Sequence, residues 1–90
     1  MTAKPRPALI LSVEPLAHER ALVTYVPRTT SLRHTRFEVM HRGRGFEPGG
    51  FDPQGLGSVP EVKLMRGLGR VDETTLVQVE VAVKAWLGLI

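Results

Sequence analysis

Two short stretches carry side chains suited to phosphate chemistry. One is "KPRPALILS" around Arg6; the other is "YVPRTTSLRHTR" over residues 25–36. Arg6 stands between Pro5 and Pro7, whose rings bias its backbone toward extended conformations. The second stretch combines Arg28, Arg33 and Arg36 with the hydroxyls of Thr29, Thr30 and Ser31, and Arg42 and Arg44 follow. Only Glu38 opposes these arginines in charge. Guanidinium forks bind phosphate oxygens in pairs and hydroxyls add short bonds, so the cluster reads as a nucleic-acid site. The competing reading is a solvated loop, with Arg6 closing a strand mouth and Thr29 satisfying loop backbone. Phe46 and Phe51 have two readings as well: platforms for unpaired bases, or apolar anchors beneath the loop.

Other chemistries find little support. With no cysteine there is neither a disulfide framework nor a thiolate metal site. His18, His34 and His41 lack the close-spaced partners of a metal site and read as surface or hydrogen-bonded residues. "GRGFEPGG" is glycine-rich but lacks the spacing and the lysine of a phosphate loop. Ser12, Ser31 and Ser58 lack the setting of a serine nucleophile. No apolar run approaches the roughly 20 residues of a membrane helix, so a cytoplasmic protein without membrane contact is expected. The net charge is +3, split as +5 over residues 1–46 and −2 over 47–90, which puts a basic face beside the two stretches.

These side chains need a scaffold, and ninety residues supply one domain, 1–90. Apolar and β-branched runs predict strands over 7–13 and 20–26, the second ended by Pro27. A polar loop over 28–35 leads to a strand over 36–41. Residues 42–58, with six glycines and two prolines, read as a long loop with no element of its own. Strands over 59–65 and 67–71 follow. In residues 72–90, Val77, Val79, Val81 and Val83 alternate as in a strand. Against that, Asp72 is a good N-cap, Glu73 suits a first turn and Gly88 suits a helix end. Leu76, Val79, Val83, Trp86, Leu87 and Ile90 fall at spacings of three and four. A helix is expected there. The fold class is mainly β (a β-rich α+β domain), a small, partly open barrel of antiparallel strands with a C-terminal helix.

The order "RPALILS", "YVPRTTS", "RFEV", with "AVKAWLGLI" at the end, resembles the MazF/PemK family of toxin endoribonucleases. The likeness runs over residues 5–90 and is loosest in 42–58. It implies an SH3-like barrel, a homodimer, and the helix reading of 72–87. It also implies a toxin of a type II toxin–antitoxin system that cleaves single-stranded RNA without metal or cofactor and is silenced by a cognate antitoxin protein. By their match to the family's motifs, Arg6 is the expected catalytic arginine and Thr29 the expected catalytic threonine. Arg28, Thr30, Ser31, Arg33 and Arg36 are the expected nucleic-acid contacts.

Metal-free cleavage uses the ribose 2′-hydroxyl as nucleophile, so the protein must stabilise charge on the phosphorane-like transition state. Arginine is a poor base, which suits Arg6 to clamping phosphate, with donation of a proton to the leaving oxygen as a second expected role. Thr29 Oγ1 would hold a non-bridging oxygen. Family members usually begin with a further strand of G-D-(I/V) type, followed by a loop with an acidic or polar partner for the arginine. Met1–Pro5 offer no counterpart, so that strand is expected to be missing. This motivates an alternative, a catalytically impaired nucleic-acid- or antitoxin-binding module of the same fold. A third reading is a small protein whose helix and valine-rich face serve assembly alone.

Overall fold

The computed structural model describes residues 6–89. The expectations for Met1–Pro5, and for Ile90 on the helix face, lie outside the described residues. Strand β1 (Ala8–Ile10) pairs antiparallel with β2 (Leu22–Thr29), Ala8 lying opposite Pro27 and Ile10 opposite Tyr25. Beyond β1, Leu11 N–H still donates to Thr24 O at 2.9 Å. One residue later Ser12 Oγ takes over and accepts from Thr24 N, which ends the expected 7–13 strand early.

Contrary to expectation, β2 does not stop at Pro27. On the edge away from β1 it pairs with β5 (Gly57–Pro60) over Leu22–Tyr25, then with β4 (Gly49–Phe51) over Arg28–Thr29. Pro27 falls between these two partners, where a missing N–H costs no ladder bond. Its carbonyl still accepts from Asp52 N at 3.0 Å. The strand expected over 36–41 shrinks to β3 (Val39–His41), which pairs with β4 at the edge of the sheet. The expected strand over 59–65 shifts to 57–60 and gives way to a tight turn at Glu61–Lys63. Residues 67–71 form no strand.

The glycine-rich segment is therefore not a plain loop: it contains β4 and a 3-10 turn at Pro53–Gly55. β4 is squeezed between β2 and β3. A Cβ on Gly50 would stand 2.6 Å from the Val39 carbonyl oxygen, and one on Gly49 would run into the carbonyl of Thr29. Glycine at both positions is what lets the three backbones meet. The outcome is a curled half-barrel of antiparallel strands.

Helix α1 (Glu73–Leu87) closes it. Asp72 caps the first turn through Thr75 N, and Gly88 ends the helix with φ of 68°, Leu89 N–H returning to Lys84 O. These stops, with the three-and-four spacing, override the valine alternation. Val79 faces inward and is fully buried, whereas Val77 and Val81 face solvent. Val79 packs with Val26 and Phe51, and Val39, Leu56 and Val83 surround them. Each buried side chain in so small a core stabilises by about 1.5–3 kcal/mol. Phe37 meets Trp86 edge-on at 5.4 Å and ties the loop after β2 to the end of the helix. No described helix is long and apolar enough to cross a membrane.

The packing of β4 can be checked directly. Gly50→Ala is expected to lower unfolding free energy by about 1–3 kcal/mol or more in urea titration, because a neighbouring backbone must move. Gly67→Ala, with open space around it, is expected to change stability by less than about 1 kcal/mol.

Candidate active site

The β1–β2 register builds the site. Ala8 faces Pro27, and Arg28 N–H donates to Pro7 O at 3.1 Å, so the same antiparallel pairing brings Arg6 opposite Thr29. Both residues line a polar cleft of about 500 Å³. Thr30, Ser31 and Arg33 extend its wall along the loop after β2. Asp52, Gln54 and Gly55 form the opposite wall from the 3-10 turn. Arg6, Thr29, Thr30, Ser31 and Arg33 thus converge.

Local hydrogen bonds orient the polar atoms. Thr29 Oγ1 accepts from Ser31 N at 2.9 Å. That uses one lone pair and leaves the hydroxyl proton free to donate, so the loop-satisfying role and a phosphate-binding role coexist. Glu38, also at the cleft, is engaged: its carboxylate accepts from Arg33 N at 3.0 Å and from Thr35 N at 2.9 Å. The Arg33 bond leads the causes that hold the Glu38 carboxyl below its ordinary range, partly opposed by burial. Glu38 is a clamp on the 33–38 loop. Asp52 Oδ1 accepts from Gln54 N at 3.1 Å, and its second oxygen has no bond among the described residues. Asp52 and Gln54 escape the sequence reading because residues 42–58 read as a loop. The signal is "FDPQG", an Asx-type cap followed by proline.

Two expected contacts stand elsewhere. By sequence Arg28 is a loop residue open to phosphate, but β2 runs through it. Strand parity puts it on the face of Val26, opposite Thr29, and it is only 6 % exposed. Its Nε donates to His41 Nδ1 at 2.8 Å, and Nη2 donates to the carbonyls of His41 and Glu47. Three of its five N–H donors are thus committed within the protein. Arg36 sits 4.6 Å over the Phe37 ring and borders a separate groove between β3 and α1. The two remaining phenylalanines resolve as anchors. Phe51 is in the core, and Phe46 lies beneath Arg28 and beside His41. No aromatic side chain lines the cleft among the described residues.

The family model of PemK-like, MazF-like toxins of type II toxin–antitoxin systems matches residues 1–87. Among solved structures, the Mycobacterium tuberculosis toxin MazF-mt6 superposes with a TM-score of 0.78 at 24 % identity, over 92 % of this chain and 86 % of that chain. At that identity the likeness speaks for the fold. No curated protein matches by sequence. Since the family match takes in nearly the whole chain and the half-barrel agrees with it, the chain belongs to the PemK-like, MazF-like toxins of type II toxin–antitoxin systems, a family of RNA-cleaving toxins.

Proposed function

We propose that the protein is a metal-independent endoribonuclease that cleaves single-stranded RNA in the Arg6–Thr29 cleft. The observation carrying this reading is the antiparallel register that sets a guanidinium opposite a hydroxyl with a free proton. The ribose 2′-oxygen attacks the adjacent phosphorus and the bond to the 5′-oxygen breaks; that oxygen takes a proton from solvent water, leaving a 2′,3′-cyclic phosphate and a 5′-hydroxyl. Arg6 neutralises the growing charge on the phosphoryl oxygens, and Thr29 donates to one of them. The unengaged Asp52 oxygen takes the 2′-hydroxyl proton. Thr30, Ser31 and Arg33 hold the flanking phosphates.

The working unit is a homodimer, acting in the cytoplasm and opposed by a cognate antitoxin. Support for protein partners comes from exposed apolar side chains, among them Val62, Met65 and Leu68 before the helix and Val77 and Val81 on it.

With a long unstructured RNA in EDTA, Arg6→Ala and Thr29→Ala are each expected to slow cleavage by about 10²–10³-fold. Asp52→Asn should slow it by about 10²-fold or more. Equal cleavage by all variants would overturn the assignment. RNA binding that persists with no turnover would identify a binding module instead. Arg33→Ala is expected to weaken binding and to flatten the slope of log K against log salt by about 0.7. Sedimentation at micromolar concentration should give about twice the 9.9 kDa chain mass, and a monomer would remove the homodimer.

A further inference from the structure

A buried cation is costly unless its donors are met. The bonded partners of the Arg28 side chain among the described residues are all neutral: the His41 imidazole, the His41 carbonyl and the Glu47 carbonyl. The Phe46 ring faces the guanidinium at 5.1 Å. An apolar side chain of similar length would fill this place without the desolvation cost. The position also stands out in the backbone. Arg28 N–H donates to Pro7 O, next to Arg6, and the following residue is Thr29. On its other edge Arg28 pairs with Phe51 of β4. One residue therefore ties together the strands that bring Arg6 and Thr29 face to face, and its side chain locks them to β3 and to the 42–48 segment.

We propose that Arg28, held by a neutral His41, is the positioning residue of the cleft, and that a proton on His41 Nδ1 unlocks it. The proposal rests on the ribonuclease reading for its functional consequence. Nδ1 accepts the Arg28 Nε–H bond only while it carries no proton, so the neutral ring bears its hydrogen on Nε2. A second proton sets donor against donor at 2.8 Å. The groups facing His41 are Arg28 from β2, which repels an imidazolium, Asp72 at the start of α1, which attracts one, and the Phe46 and Phe51 rings. Burial first, and Arg28 second, push the imidazole below its ordinary value, against the smaller pull of Asp72. A histidine depressed in the folded state contributes stability above its unfolded value of about 6.5 and loses it as pH falls through that value toward the folded one. The lock is closed at neutral pH and opens in acid.

The test compares cleavage from pH 5 to 8 in the wild-type protein, His41→Asn and Arg28→Met. The substituted amide would offer an oxygen near the place of Nδ1 and does not titrate. His41→Asn is expected to keep activity within about threefold at pH 7.5 and to lose the acid limb attributable to one proton. Arg28→Met should melt near wild type, yet cleave at least about tenfold more slowly with little change in KM. Independently of turnover, the Thr29 methyl resonance should titrate in step with the His41 ring, and stay still in His41→Asn. An acid limb unchanged in His41→Asn, or a Thr29 signal that ignores His41, would overturn the proposal. A wild-type protein that cleaves nothing at any pH refutes the ribonuclease reading instead, and the resonance titration then decides the positioning role alone.

Discussion

A guanidinium withdrawn from water must find acceptors for its donors, and that requirement organises this small molecule. Arg28 finds them on β3 and on the segment beyond it. Meeting them draws β3 and the glycine-rich stretch against the end of β2. The strand that fills the space between, β4, has to be nearly bare, which Gly49 and Gly50 provide. Phe51 follows at once and carries the apolar side chain that joins Val26 and Val79 in the core. Polar anchor and hydrophobic core are thus built from the same few residues.

The cleft lies on the other face of this seam. Its side chains are oriented by bonds that each leave one function free. Thr29 accepts from the loop and keeps its proton, and Asp52 caps a turn with one oxygen. Glu38 is different, with both oxygens committed to backbone donors. Two carboxylates in one cleft therefore have unlike work: one shapes the loop that carries Arg33, and the other faces the ligand space. The cleft's described lining is polar and lacks aromatic side chains, so it offers hydrogen bonds and charge and no stacking platform.

Parts of this are legible in the sequence for identifiable reasons. The helix can be read because its stops are chemical: Asp72 and Gly88 act locally, and they outweigh four alternating valines. Arg6 and Thr29 can be paired through the resemblance, although only the strand register explains why they meet. The long β2 is hidden because proline usually ends a strand, and the gap between two partner strands that tolerates Pro27 is a tertiary fact. Misplacing that end hides the fate of Arg28, since parity cannot be applied to a residue assigned to a loop. β4 is hidden because two glycines carry no strand propensity; its pairing is imposed by its neighbours.

The bareness of β4 also divides the molecule into parts that can and cannot vary. A strand with no room for a side chain at two of its three positions cannot be altered there without moving a neighbouring backbone. The loop after β2 and the turn at Pro53–Gly55 flank the cleft outside the strand ladder. The rim of the cleft can therefore change residue by residue, whereas the sheet beneath it cannot.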